Sequence, residues 1–386
     1  MSLEPEIFQQ LLETVRRFVK ERLVPLEAEV SRSDRVPGGV KQEMRELGFF
    51  GLSIPQEFGG LGLTMEEEVR VTFELGRTSP AFRSVFGTNN GIGSQGIVMD
   101  GTDEQKRHYL PRLATGDIIS SFALTEPEAG SDAASLRTTA RREGEFYILN
   151  GTKRFITNAP YADLFTVFAR TESASRPEGV VTAFLIDART PGLSLGKIDR
   201  KMGQSGSHTC DVIFEDCKVP ASAVLGGTEG QGFKTAMKVL DRGRLHISAL
   251  CVGMAERLIA YSLSYAMQRK QFGQPIAEFQ LIQAMLADSR AETYAAKCMV
   301  LETARGKDRG DNVSTDAACC KMFASEMVGR VADRAVQIHG GAGYMEEYGI
   351  ERAYRDVRLF RIYEGTTQIH QILIARNMIK EALAAA

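Results

Sequence analysis

Phe122-Ala123-Leu124-Thr125-Glu126-Pro127-Glu128-Ala129-Gly130-Ser131-Asp132 is the stretch on which the reading of this chain turns. It leaves a β-type run and enters a loop rich in hydroxyls and small residues, where backbone amides can face a ligand; an ordinary strand-end loop has the same composition. Around it, from roughly 117 to 227, short runs of β-formers follow one another, among them Leu164-Phe165-Thr166-Val167-Phe168 and Val212-Ile213-Phe214. Asn150-Gly151, between Tyr147-Ile148-Leu149 and Arg154-Phe155-Ile156, predicts a type I′ hairpin, because both central residues of that turn need positive φ. Thr190-Pro191-Gly192 marks a further turn. The expectation here is a small antiparallel β domain.

On both sides of that region the period changes to that of helices. Upstream, Phe8, Leu11, Leu12, Val15, Phe18, Val19 and Leu23 make one apolar stripe, interrupted at Val24-Pro25. Helices are predicted over 40–47, 65–75, 81–99 and 103–113. Downstream, long helices are predicted over 233–269, 279–304, 314–338 and 367–383. With 386 residues the chain exceeds one ordinary core. The expected fold is therefore α+β and multidomain: an N-terminal all-α domain (1–116), a middle antiparallel β domain (117–228) and a C-terminal four-helix-bundle domain (229–386).

Composition excludes several function classes. Hydrophobic residues are 43%, charged residues 25% and the formal net charge is −2, so nothing calls for a nucleic-acid partner or an anionic membrane surface. No apolar run reads as long enough to span a bilayer, and no membrane insertion is expected. Glu4 and Glu6 followed by an amphipathic pattern fit neither a secretory signal nor a transit peptide, so a cytoplasmic protein is expected, or a matrix protein whose leader is missing. The six cysteines form no C-x-x-C and read as free thiols in a reducing compartment. The five histidines share no zinc-type spacing, so no metal is expected. Gly91-Ile92-Gly93-Ser94-Gln95-Gly96 satisfies G-x-G-x-x-G, but its flanks are helical and a dinucleotide site needs a strand before it. In Gly230-Gln231-Gly232-Phe233-Lys234-Thr235 a phenylalanine separates glycine from lysine, so it is no phosphate loop.

Three more segments have an unusual residue mixture. Arg269-Lys270-Gln271-Phe272-Gly273-Gln274-Pro275, with Phe279-Gln280 after it, could fork an arginine onto a phosphate or merely complement a helix C-terminus. Gln337-Ile338-His339-Gly340-Gly341-Ala342-Gly343-Tyr344 is either a helix cap or a place where a flat ligand approaches the backbone. In Ile362-Tyr363-Glu364-Gly365-Thr366-Thr367-Gln368 the acid follows Leu359, Phe360 and Ile362. Partial desolvation there would raise its pKa and make it a better proton acceptor.

Taken in order, these four segments resemble the acyl-CoA dehydrogenase family over essentially the whole chain. The resemblance implies an enzyme that carries FAD. Phe122, Leu124, Thr125, Gly130, Ser131, Phe155, Ile156 and Thr157 would hold the isoalloxazine ring, Leu124 and Thr125 through hydrogen bonds to its polar edge. Thr366 and Gln368 would also touch the cofactor. Arg269, Gln271, Phe272, Phe279, Gln280, Gln337, Ile338, Gly340 and Gly341 would reach the ADP half of a neighbouring subunit's FAD. It further implies a homotetramer built as a dimer of dimers and electron transfer to an electron-transfer flavoprotein. Ser131, Asp241, Arg244, Tyr363 and Gly365 would contact the acyl-CoA, and Glu364 would be the base that takes the α-proton on the way to the trans-2-enoyl-CoA.

Two departures from the family's pattern stand out. The chain has no tryptophan, and Phe155 occupies the place beside the flavin where Trp is frequent; Phe122 stands where tyrosine is frequent. Gly243, in Asp241-Arg242-Gly243-Arg244, matches the position that carries the catalytic Glu in other branches. Related chemistries on this fold include acyl-CoA oxidases, nitroalkane oxidases and desulfinases; a Glu at 364 argues against the second, which uses Asp. A non-catalytic flavoprotein would have no need of Glu364.

Overall fold

The structure is a computed structural model that describes residues 3–174, 176 and 178–385. Its N-terminal part is helical: α1 (Pro5–Phe18), α2 (Glu27–Ser33), α3 (Gly38–Glu46), α4 (Met65–Leu75), α5 (Pro80–Asn90), α6 (Gln95–Asp100) and α7 (Asp103–Thr115). The apolar stripe of α1 buries Phe8, Leu12, Val15 and Phe18. Thr64 and Thr102 close capping boxes with Glu67 and Gln105 at the starts of α4 and α7, each cap worth about 1 kcal/mol. The single helix expected over 81–99 is two helices. A turn at 91–94 separates them because the backbone there is pressed onto the sheet: a Cβ on Gly93 would lie 2.2 Å from Ser120 Oγ.

The middle part forms β1 (Ser120–Ala123), β2 (Thr139–Glu143), β3 (Phe146–Thr157), β4 (Leu164–Thr171), β5 (Val180–Asp187), β6 (Leu193–Leu195) and β7 (Thr209–Pro220). They pair in the order β1-β4-β2-β3-β7-β6, with β5 also on β4. Pairing is mostly antiparallel, but β1 lies parallel to β4. In β4 the apolar run is buried on both sides: Leu164 and Phe168 face the helices, whereas Phe165 and Val167 fill the interior of the curled sheet. Each such phenylalanine contributes about 1.5–3 kcal/mol by burial.

The hairpin expected at Asn150-Gly151 is absent. β3 runs through both residues, and the chain reverses at Gly144-Glu145, between Glu143 and its partner Phe146. Asn150-Gly151 instead sits at a register shift between β3 and β7. There the Asn150 side chain donates to Asp216 Oδ1 at 3.0 Å and accepts from Asp216 N at 2.9 Å. The local signal for positive φ is used, at Gly151 (φ 148°), but by a bulge rather than a turn.

The C-terminal part comprises α8 (Gly232–Gln268), the hairpin β8 (Lys270–Gln271) and β9 (Gln274–Pro275), α9 (Gln280–Arg309), α10 (Ser314–His339), α11 (Gly341–Tyr344), α12 (Ile350–Val357) and α13 (Thr367–Ala385). Helices α8, α9 and α10 pack on one another, and α13 lies on α10. Against expectation, α8 is by length and composition apolar enough to cross a membrane. It is a core helix, whose Leu245, Leu250, Val252, Met254 and Leu258 fill the bundle. Helix α4 joins the same core with Met65, Val69 and Phe73, which ties the first helices to the last ones.

Candidate active site

Where the sheet, α5, α8 and the loop before α13 meet, a cavity of about 870 Å³ opens. Its walls bring together Thr125, Gly130, Ser131, Phe155 and Thr157 from the β domain, Gly243 and His246 from α8, Arg83 from α5, and Tyr363 to Thr366.

Glu364 stands in a left-handed conformation (φ 55°), followed by Gly365 at φ 90°. Two buried side chains pin this bend. Lys321 Nζ donates to the Gly365 carbonyl, and His370 Nε2 lies 3.1 Å from the Glu364 carbonyl oxygen. Burial pulls Lys321 down to about 8 and His370 to about 3. The imidazole is therefore neutral, and its proton sits on Nε2, facing the carbonyl. The Glu364 carboxylate has an Oε2 that is shut off from solvent and has no hydrogen-bond partner. Burial raises its pKa, while the charges of Arg244, Arg83 and Lys321 pull the other way. With burial the larger influence, the carboxylate holds a proton more tightly than a free one does, which makes it a better proton acceptor. Across from it α8 presents Gly243: a Cβ there would lie 2.7 Å from Glu364 Oε2.

The hydroxyl-rich loop is held from below. Glu126 accepts hydrogen bonds from Thr138 N at 2.9 Å and from Lys153 Nζ at 2.6 Å, and Lys153 also donates to the Leu124 carbonyl at 3.3 Å. Lys153 is fully buried. Burial pulls it to about 8 against the attraction of Glu126. Burial also opposes the Glu126 charge, but Lys153 and the Thr138 and Arg137 donors leave that carboxyl below its ordinary range. The two groups form a charged pair that fixes Thr125 and the strand carrying Phe155.

The residues marked in the sequence fall into two groups. Thr125, Gly130, Ser131, Phe155, Thr157, Tyr363, Glu364, Gly365 and Thr366 share the cavity. Phe122, Leu124 and Ile156 turn their side chains into the core behind it, so only their backbones are available to a ligand. Asp241 and Arg244 pair with each other outside the lining, Asp241 also accepting from Ser314 Oγ at 3.2 Å. Gln368 is exposed on α13. The second group gathers at one end of the bundle, outside the cavity. Here Arg269, Gln271, Phe272, Phe279 and Gln280 come up to Gln337, Ile338, Gly340 and Gly341 around a small core of Ala266, Ile276 and Ile338.

Both groups fit the two halves of FAD. Phe155, 57% exposed with the Arg154 guanidinium over its ring, shares the cavity wall with Thr125 and Thr157, the mixture of apolar surface and hydroxyls that a flat heteroaromatic ring requires. At the bundle end Arg269 is an exposed cation, and no atom lies within 4 Å of a Cβ placed on Gly340 or Gly341, so phosphates can approach the backbone. Arg83, His246, Lys321 and Lys153 were not visible as site residues in the sequence. Lys321 stands alone among apolar residues, whereas Lys153 lies between Thr152 and Arg154 and Arg83 precedes Ser84; only packing shows what each of the four faces.

Three sequence profiles match the chain: acyl-CoA dehydrogenase, N-terminal domain over residues 5–117; middle domain over 121–217; and C-terminal domain over 230–379. Acryloyl-CoA reductase (NADH) of Anaerotignum propionicum is 42% identical over 98% of this chain and 95% of its own. The CarC subunit of the caffeyl-CoA reductase–Etf complex of Acetobacterium woodii is 40% identical over 94% of this chain and 95% of its own. The structure of butyryl-CoA dehydrogenase from Megasphaera elsdenii superposes with a TM-score of 0.92 at 36% identity, covering 98% of this chain and 99% of that one.

Proposed function

Since the chain belongs to the acyl-CoA dehydrogenase family, we propose that Glu364 removes the α-proton of an acyl-CoA thioester and that the product is the trans-2-enoyl-CoA. The protein is an oxidoreductase acting on CH–CH bonds, and its cofactor is FAD. When bound, FAD supplies the acceptor for the hydride that leaves the β-carbon.

One observation carries the reading: the Glu364 carboxylate has its Oε2 desolvated and unpartnered in the cavity wall. The left-handed bend aims it, and Lys321 and His370 hold the bend from behind. As the proton leaves, negative charge grows on the thioester oxygen. The Glu364 N–H, which enters no hydrogen bond among the described residues, is free to stabilise it. Ile247, Leu250 and Leu359 in the cavity wall keep water from the reacting carbons. Ser131, Tyr363 and Gly365, which share the lining, would contact the acyl thioester.

The bundle-end group would serve the ADP half of a second subunit's FAD. Supporting this, Phe272 is 93% exposed at the tip of the β8–β9 hairpin, and Leu281 and Tyr344 are also largely exposed; assembly into a dimer of dimers would cover them. Electrons would leave to an electron-transfer flavoprotein, as the likeness to a subunit of an Etf complex supports. Six free cysteines accord with a cytoplasmic location. Anaerobic titration of the FAD-loaded protein with a panel of acyl-CoAs tests the reading: bleaching of the flavin absorbance is expected with at least one, and no bleaching with any refutes it.

A further inference from the structure

Lys321 is fully buried on α10, a helix whose Ala317, Cys320, Ala324 and Val328 belong to the bundle core. An ammonium in such a place is costly, and a methionine of similar length would fill the space without that cost. Lys153, the other buried lysine of the site, has the Glu126 carboxylate at 2.6 Å. Lys321 enters no ion pair among the described residues and donates instead to a neutral acceptor, the Gly365 carbonyl.

Four elements bring titratable or charged groups to bear on it. Helix α8 brings Cys251 and Arg244, the bend brings Glu364, α13 brings His370, and α10 itself brings Glu326. Burial keeps the Cys251 thiol protonated, Arg244 is engaged by Asp241, and His370 is neutral. Glu326 is held by Arg361 and by Thr367 Oγ1, each at 2.7 Å. Glu364 is the acid of this group that has no hydrogen bond or ion pair of its own among the described residues. The one bond Lys321 makes falls directly beside it. Two consecutive carbonyls are held behind the bend, that of Glu364 by His370 Nε2 at 3.1 Å and that of Gly365 by Lys321. The carboxylate and the N–H of Glu364 are thereby left to the cavity.

We propose that Lys321 is a positioning residue: its ammonium locks the Gly365 carbonyl, the lock fixes both the carboxylate and the N–H of Glu364, and loss of the ammonium proton loosens the bend and slows the reaction at alkaline pH. The proposal rests on the reading of Glu364 as the base and adds the group that limits it at high pH. A neutral amine still reaches the carbonyl, but the bond loses its charge assistance, about half its strength. A misplacement of about 1 Å at the reacting atoms costs on the order of 100-fold in rate. Burial draws the proton off Lys321 at about 8, and while it stays its charge restrains the rise of the Glu364 pKa.

The first test is the pH profile of flavin reduction, followed by anaerobic rapid mixing of the FAD-loaded protein with butyryl-CoA and with the acyl-CoA of the panel that bleaches it fastest. Above the acid limb that belongs to Glu364, the rate should fall through a midpoint near 8 to a plateau on the order of 100-fold lower. Lys321→Met should run near that lower level throughout, with no alkaline fall and with its acid midpoint moved up, because the charge that restrained Glu364 is gone. Lys321→Arg, whose charge does not titrate in this range, should keep part of the rate and also lose the alkaline fall. A parent without an alkaline fall, a fall that survives in Lys321→Met, or parental rates in that variant overturns the proposal. Retained FAD absorbance and the melting temperature certify folding, with Lys321→Arg as the second variant.

The second test does not use turnover. Acetoacetyl-CoA forms its enolate without an enzyme base, so its binding to FAD-loaded Glu364→Gln reads the N–H at 364 through the charge on the thioester oxygen. Adding Lys321→Met should weaken enolate binding on the order of tenfold and leave butyryl-CoA binding nearly unchanged. Equal weakening of the two ligands would mean that Lys321 only supports the fold, and overturns the proposal. Near-parental bleaching of Glu364→Gln would instead remove the base assignment, and the enolate measurement judges Lys321 apart from it.

Discussion

Glu364 holds a left-handed backbone one residue before a second left-handed position at Gly365. For a side chain larger than glycine's that costs on the order of 1 kcal/mol, sustained by Lys321 and His370 behind the bend. Glu364→Gln keeps the shape and removes the acceptor. Flavin reduction by a good substrate should fall about 10²–10⁴-fold with ligand binding intact, and near-normal stopped-flow reduction would disprove the role. Because burial raises the Glu364 pKa, the reduction rate should climb with pH through a midpoint above the ordinary carboxylate range and fall away below it. Stability runs the opposite way. The folded state holds this proton more tightly than the unfolded chain, so the Glu364 contribution is present below the unfolded pKa and is lost as pH rises through the folded one. Glu364→Gln should accordingly melt no lower than the parent at pH 8, as read by calorimetry without substrate.

At the scale of elements, the site depends on pairs of segments held by one buried contact. The Lys153–Glu126 pair joins β3 to the loop after β1. Lys153→Met leaves the Glu126 carboxylate buried without its cation. Denaturant unfolding should show a loss of about 3–5 kcal/mol, together with weaker FAD retention on dialysis; a loss below 1 kcal/mol would mean that the pair is incidental. Helix α8 meets the bend before α13 at Gly243, beside the Glu364 carboxylate. A carboxylate grown from that helix reaches the same space. Glu364→Gly, which tolerates positive φ, should be nearly inert, and adding Gly243→Glu should restore part of the flavin reduction. Rescue should stay incomplete because the new side chain lacks the supports of the old one. A double mutant no faster than Glu364→Gly, with FAD and ligand bound, would refute it.

For the whole molecule, exposed aromatics and aliphatics collect on the C-terminal helices, with Phe272 at 93% and Leu281 at 80% exposure. If a second subunit covers the β8–β9 hairpin, Phe272→Asp should lower the sedimentation mass and release FAD together, and Arg269→Ala should release FAD with the assembly intact. A Phe272→Asp protein with parental mass and FAD content would remove the hairpin from the interface.

How far the sequence alone reached depends on the range of the interaction. Helix periods, the strand runs and the turn at Thr190-Pro191-Gly192 are local, set by side chains a few residues apart, and they mark the three-part α, β, α order without any coordinates. Glu364 stands out as a candidate for the same reason: an acid among large apolar neighbours, just before a helix capped by threonine, is a local anomaly. Asn150-Gly151 shows the limit. The dipeptide asks for positive φ, but whether that bends a hairpin or a bulge depends on the distant strand β7, whose Phe214 pairs with Gly151. The division of α5 from α6 likewise comes from a sheet edge pressing on Gly93. Tertiary packing alone decided that α4 belongs to the C-terminal core, that Lys153 and Lys321 are buried cations behind the cavity wall, and that Arg83 lines the same cavity as Glu364. A polar residue in an apolar segment has the same local signature whether it caps, pairs or binds. What separates those roles is the desolvation and charge of partners that meet it only once the chain has folded.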